Sequence, residues 1–177
     1  FTVAEGSVLA VDKGCSVINL SLGGQESSEI LKAAVDYAES KGVILVAAAG
    51  NDGFSEVSFP ARYDSVIGVT ALSPDGRVAD FSNFGDGVDL AAPGVGIVSA
   101  WNDNGYAIFD GTSSAAALVS GAIATEISRN PKMEKKNLQK LFLELANEVD
   151  RPGFDENSGY GALTLNRVIH RNDLTYH

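Results

Sequence analysis

Cys15 is the only cysteine in the 177-residue chain, which excludes an internal disulfide and a cysteine-rich metal site. Positive charge is scarce as well. The 13 Lys and Arg stand against 23 Asp and Glu, a formal net charge of -10, and this excludes the basic surface that nucleic acid or an anionic membrane requires. No apolar run approaches the length of a membrane span, and no basic-then-apolar leader stands at the start. No Gly-x-Gly-x-x-Gly or Gly-Lys-Ser/Thr loop occurs at a strand-to-helix junction, which counts against a nucleotide-binding βαβ domain built on Gly50-Asn51-Asp52-Gly53. Internal repeats, low-complexity segments and a domain boundary are all lacking, so residues 1–177 are expected to form a single unit with a substantial core.

The periodicity that is present alternates between strand and helix. Val3, Ala4, Ser7, Val8 and Val11 recur at helical spacing from the first residues, as in a helix whose upstream context has been truncated or processed away. Residues 16–22 form a short, mostly apolar and β-branched run that predicts a buried strand, broken by Gly23-Gly24. Ser27-Ser28-Glu29 then opens a helix whose Ile30, Leu31, Ala34, Val35 and Ala38 share a face, ending near Gly42. Val43 to Ala48 predicts a second buried strand. Strand, helix and strand in this order imply a parallel sheet with a right-handed crossover. Sites in such sheets gather beyond the carboxyl ends of the strands, where Ser21-Leu22-Gly23 and Gly50-Asn51-Asp52-Gly53 lie.

Further strands are expected at 65–70 and 88–92, with a turn at Ser73-Pro74-Asp75-Gly76 between them. Phe81-Ser82-Asn83-Phe84-Gly85 reads as an irregular surface loop. Ile97–Trp101 and Tyr106–Phe109 flank Asn102-Asp103-Asn104-Gly105, a hairpin signal. A helix over 112–128, apolar nearly all round, is expected to be buried, and an amphipathic one follows over 135–147. Lys135 and Lys136 fit a solvated face, and a last short helix is expected over Leu163–Ile169.

The hairpin delivers the chain to Gly111-Thr112-Ser113-Ser114. Here a tight turn opens the buried helix, and Ser113 falls on its first turn, where free N–H groups and the positive end of the macrodipole favour developing negative charge. A nucleophilic hydroxyl suits that position. A Ser/Thr helix cap is the plainer reading of these residues alone.

Four segments in order resemble the subtilisin-like serine proteases, or subtilases: Val17-Ile18-Asn19-Leu20-Ser21-Leu22-Gly23-Gly24; Val46-Ala47-Ala48-Ala49-Gly50-Asn51; Phe81-Ser82-Asn83 with Ala92-Pro93-Gly94; and Asp110-Gly111-Thr112-Ser113-Ser114-Ala115. Gly159-Tyr160-Gly161 resembles the family's closing segment. The resemblance implies an α/β fold, a three-layer α/β/α arrangement on a mostly parallel sheet, subtilisin-like and incomplete at its N-terminal side. It implies that Ser113 is the nucleophile and Asn51 the oxyanion-hole donor; without the family, Asn51 reads as a turn residue. Ser21, Leu22 and Gly23, with Ala48, Ala49 and Gly50, resemble the backbone segments that wall the substrate pocket. Asp52 would sit near its rim, though an exposed turn acid explains it equally. Phe59-Pro60 resembles the family's cis-proline step. The backbone of Ala61, Tyr63 and Val66 resembles a weak cation site for calcium or a monovalent ion, while no cofactor is required.

Two departures limit what carries over. Ala117 and Leu118 stand where many subtilases have proline and histidine, a change that suits a helix. The family's triad aspartate and histidine belong to segments upstream of anything present here. His170 and His177 lie beyond the serine and are not recruited, and Asp12 and Asp36 read as solvated helix residues. A serine without a base is a poor nucleophile, so this chain alone is expected to be nearly inactive. The implied partners are a peptide or protein substrate and an N-terminal chain of the same precursor that supplies Asp and His. Self-association covering an open sheet edge is the alternative to that chain. A non-catalytic, peptide-binding subtilase-like module is the competing function. Secretion is what the family implies for localisation.

Overall fold

The computed structural model describes residues 2–132, 135–149 and 151–163. Four strands, β1 (Val17–Leu20), β2 (Ile44–Ala48), β3 (Val66–Leu72) and β4 (Leu90–Pro93), form a parallel sheet in the order β1-β2-β3-β4. Two more, β5 (Ile97–Ala100) and β6 (Tyr106–Phe109), form a separate antiparallel ribbon. Helices α1 (Val3–Asp12) and α2 (Glu29–Ser40) pack against each other and, through α2, on one side of the sheet. The longer α3 (Thr112–Arg129) packs on β1, β2, β3 and β4, and α4 (Lys135–Leu145) completes its side. This is the three-layer α/β/α architecture that the resemblance implies, on the parallel sheet that the alternating strand and helix patterns predict.

Strand alternation builds two cores. Ile44, Val46 and Ala48 of β2 meet Ala115, Val119 and Ile123 of α3, whereas Leu45 and Ala47 meet Val35 and Ala38 of α2. Every residue of β2 and β3 is buried, as a sheet covered on both faces requires. Each fully buried Val, Leu or Ile there contributes about 1.5–3 kcal/mol. The same alternation in β1 sends Ile18 and Leu20 towards the α2 core and leaves Val17 and Asn19 facing α3. Among the described residues β1 has β2 as its one neighbour, so its outer edge is open.

Several boundaries differ from the sequence reading. β1 stops at Leu20 rather than residue 22, because Ser21 turns away to bond α3. β4 begins at Leu90, since Asp89 is held sideways, its carboxylate accepting the Gly68 N–H at 2.8 Å. Ser113 is not the helix cap: Gly111 occupies that position and no side chain caps the helix. Residues 81–85 are not a surface loop throughout, as Ser82 and Asn83 are buried. The helix expected at 163–169 falls outside the described residues after Leu163, as do the side chains of Lys135 and Lys136.

Asp89 joins β3, β4 and the closing segment, for its backbone carbonyl also accepts the Tyr160 N–H at 2.8 Å. Burial, opposed by the Gly68 N–H and reinforced by the negative charge of Asp64, pushes its pKa up to about 6. The folded state therefore binds this proton more tightly than the unfolded chain. Stability falls as pH rises from about 4 to about 6 and stays lower above, a loss of about 3 kcal/mol. Asp89→Asn keeps an acceptor for Gly68 and removes the charge. Urea unfolding with EDTA present should show it stabilised at pH 8 and near wild type at pH 4; equal gains at both pH values would contradict the assignment.

Candidate active site

Ser113 is the second residue of α3 and is half-buried. The first N–H groups of a helix have no acceptor one turn back, and the Ser113 N–H has no partner among the described residues. The helix is placed by a backbone tie, the Gly111 N–H donating to the Gly94 carbonyl at 2.7 Å just beyond β4. Asn51 follows β2 at the same end of the sheet. Its Oδ1 accepts from the Thr112 N–H at 2.9 Å and the Thr112 hydroxyl at 2.8 Å. A backbone N–H can only donate, so the amide orientation is fixed and the Nδ2 donors are turned away from Thr112. Among the described residues neither the Ser113 N–H nor Asn51 Nδ2 has a protein partner, and Thr112 joins the two residues that carry them. Such a pair, beside a helix N-terminus, suits a developing oxyanion.

Thr112 is wholly buried, and its hydroxyl also accepts from the Gly50 N–H at 3.2 Å, locking the helix start to the turn that carries Asn51. The neighbouring serine masks this threonine in the sequence. Asn83, also wholly buried, orders the same turn: its Oδ1 accepts from the Asp52 and Phe54 N–H groups at 2.9 and 3.2 Å. The composition of its loop hides that role, because a polar residue between Ser and Phe in a glycine-rich stretch reads as solvated.

The two segments expected to wall a substrate pocket lie on either side of Ser58. A side chain on Gly23 would place its Cβ 2.8 Å from the Ser58 Cβ, and one on Gly50, where φ is +114°, would come within 2.7 Å of the Ser58 hydroxyl. Both positions therefore need glycine, Gly50 also for its backbone. Ser58 itself is buried and its N–H donates to the Ala49 carbonyl at 2.8 Å. Ala48 and Ala49 point their methyls into the two cores, so only their backbone can face a ligand. Ser21 and Leu22 are exposed. Asp52, also exposed, has its N–H committed to Asn83.

Ser21 and Ser113 are bonded reciprocally: the Ser21 hydroxyl donates to the Ser113 carbonyl at 2.8 Å, and the Ser113 hydroxyl to the Ser21 carbonyl at 3.2 Å. No histidine stands among the described residues, both of the sequence lying at 170 and 177. The Phe59–Pro60 peptide is cis. Ala61, Tyr63 and Val66 follow it, with the Tyr63 carbonyl accepting the Val66 N–H at 2.8 Å. No group of three or more His, Cys, Asp or Glu suited to a metal occurs among the described residues. An open apolar groove of about 460 Å³ between α1 and α2 brings together none of the expected site residues. No described helix is long and apolar enough to cross a membrane.

Comparison with known proteins identifies the family. Residues 2–161 match the profile of the Subtilase family. Subtilisin DY of Bacillus licheniformis is 40% identical over 151 residues, 83% of this chain and 55% of that protein. Subtilisin BL of Lederbergia lenta is 42% identical over 130 residues, 73% of this chain and 48% of that protein. The solved structure of sphericase superposes with a TM-score of 0.85 at 31% identity, covering 90% of this chain and 61% of that one. The chain spans about a third to a half of the length of the curated relatives it matches. By profile, sequence identity and superposition alike, the chain belongs to the subtilase family.

Proposed function

We propose that this chain carries the nucleophile and oxyanion donors of a serine endopeptidase that hydrolyses peptide bonds through an acyl-enzyme on Ser113. The observation that carries this reading is the pinning of Asn51 Oδ1 by Thr112, which turns the Asn51 amide donors away from Thr112, beside Ser113. In the reaction Ser113 Oγ bonds to the peptide carbonyl carbon and its proton passes to a histidine base. The carbonyl oxygen gains the negative charge, which Asn51 Nδ2 and the Ser113 N–H stabilise. The protonated base then gives its proton to the leaving amine as the C–N bond breaks. Water, activated by the same base, hydrolyses the resulting ester and frees Ser113.

The described residues contain no such base, so the 177-residue chain by itself is nearly inactive in this reading. An N-terminal polypeptide of the same precursor supplies the Asp and His, or a second copy covers the exposed edge in its place. The open outer edge of β1 supports either. The product acts outside the cytoplasm, as secreted relatives would. Carbonyl oxygens of Ala61, Tyr63 and Val66 are hard donors, and with no group of three or more acidic or other metal-ligating side chains among the described residues they suit a weakly held calcium or monovalent ion that takes no part in catalysis.

A peptide-binding module without catalysis is the second reading, favoured by the Ser113 hydroxyl donating to a carbonyl instead of a base. A fluorophosphonate probe separates the two. Labelling of Ser113 once the Asp- and His-bearing polypeptide is present supports the endopeptidase; failure to label under those conditions leaves the binding module. The intact mass of the isolated protein, with the identity of any chain that accompanies it, tells a two-chain protease from a lone product.

A further inference from the structure

Ser113 and Ser120 lie seven residues apart on α3, two turns along one face, and that face meets the side of β1 from which Asn19 projects. Three hydrogen bonds span the gap. The Ser120 hydroxyl bonds Asn19 Oδ1 at 3.0 Å, Asn19 Nδ2 bonds the Ser21 hydroxyl at 2.9 Å, and the Ser21 hydroxyl bonds the Ser113 carbonyl at 2.8 Å. One atom fixes the direction of all three. A carbonyl can only accept, so the single proton of the Ser21 hydroxyl points at Ser113. That hydroxyl must then accept from Asn19, which presents its amide nitrogen. The Asn19 oxygen is thereby turned to Ser120, whose hydroxyl donates.

Resting on the reading of Ser113 as nucleophile, we propose that Asn19 and Ser120 are positioning residues, which through Ser21 hold the first turn of α3 in the attitude that aims the Ser113 hydroxyl and N–H. Helix first turns fray easily, because their N–H groups lack partners. Here the turn is held at two points: Thr112 to Asn51 on one side, and the Ser113 carbonyl to Ser21 on the other. The second hold also places the Ser21 carbonyl within 3.2 Å of the Ser113 hydroxyl, so wall and nucleophile move together. Asn19 is the one member of β1 whose side chain is polar, and its neighbours Ile18 and Leu20 are buried apolar residues.

The test uses Asn19→Ala, Ser120→Ala, the double variant and Asn19→Asp, with labelling measured in the presence of the Asp- and His-bearing polypeptide. Two quantities are read: the ¹⁵N–¹H shift of the Ser113 amide and the rate of fluorophosphonate labelling. Asn19→Ala should shift the Ser113 amide signal and slow labelling about tenfold, with Ser120→Ala weaker. The double variant should be no worse than Asn19→Ala, because the two act in one chain of bonds. Asn19→Asp has nearly the same shape but a carboxylate cannot donate to Ser21. Its Ser113 amide should therefore be perturbed at neutral pH and return towards wild type on acidification, when the acid regains a proton to donate. An unshifted Ser113 amide in Asn19→Ala, additive effects in the double variant, or a pH-independent Asn19→Asp spectrum would each overturn the proposal. A wild-type protein that takes no label with the Asp- and His-bearing polypeptide present removes the nucleophile reading, while the amide signals still judge the positioning network.

Discussion

Exchanging Ser113 for alanine should lower peptide hydrolysis by about 10⁶-fold, a size carried over from the nucleophile of subtilisin itself rather than obtained from this chain's geometry. The comparison is made in whichever form of the protein hydrolyses peptides, with its Asp- and His-bearing partner present. In the proposed mechanism, loss of the hydroxyl removes the atom that forms the ester, and the proposed oxyanion donors that remain leave a small residual rate. The fold should hardly notice. Ser113 is half-buried, its hydroxyl makes one hydrogen bond of 3.2 Å, and alanine is the better helix former. Thermal unfolding within about 1 kcal/mol of wild type is expected, since one modest hydrogen bond is worth about that much. Hydrolysis that survives in Ser113→Ala at more than a hundredth of the wild-type rate would mean another nucleophile.

Asn51→Leu should cost about 10²–10³ in kcat with little change in KM, again a range taken from the corresponding donor in subtilisin. A donor aimed at the oxyanion helps most when charge has formed, so the loss falls on the transition state and not on substrate binding. The complication is local. Thr112 is wholly buried, and leucine would leave its N–H and hydroxyl without their acceptor, at about 1–3 kcal/mol of stability. Asn51→Asp removes the donors while retaining an acceptor for Thr112. It should therefore unfold closer to wild type, yet show at least as large a fall in kcat, because its carboxylate repels the oxyanion. If Asn51→Asp kept near-normal kcat, Asn51 would be a turn residue held by Thr112 and nothing more.

Much of this site was legible because strand ends are where the chemistry sits. The β-branched runs that become β1 and β2 are separated by an amphipathic helix, and that order alone puts Ser21 and Asn51 at one edge of a parallel sheet. Ser113 could be suspected from its helix start, but a serine after glycine is equally a cap. Only the placement of Gly111 at the cap position removes that reading. The residues that hold the site in shape were harder to see. Thr112 bonds Gly50 and Asn51, 62 and 61 positions away, Asn83 bonds Asp52 and Phe54, 31 and 29 away, and Ser58 meets Gly23, 35 away; no local pattern reports such separations. Asn83 is the clearest instance. Its surroundings have the composition of a solvated loop, whereas its carboxamide closes the Asn51 turn from inside the protein. Asn19 reads in the sequence only as part of a strand, and its proposed role depends on which side of the sheet α3 covers.

Helix α3 packs on every strand of the parallel sheet and supplies Ala115, Ala116, Val119, Ala122 and Ile123 to the larger core. Ser113 is part of that helix, so the hydroxyl proposed as nucleophile belongs to the element least able to open by itself. Local fluctuations free surface ribbons and termini first, and elements buried on several sides last. Backbone amides in the middle of α3 should therefore exchange with solvent only when the whole sheet comes apart, and well after those of the β5–β6 ribbon, whose Val98, Tyr106 and Ile108 are exposed. In such an arrangement the nucleophile has no softened state of its own: it is lost when the protein as a whole is lost, and inactivation by heat or urea follows global unfolding in a single step.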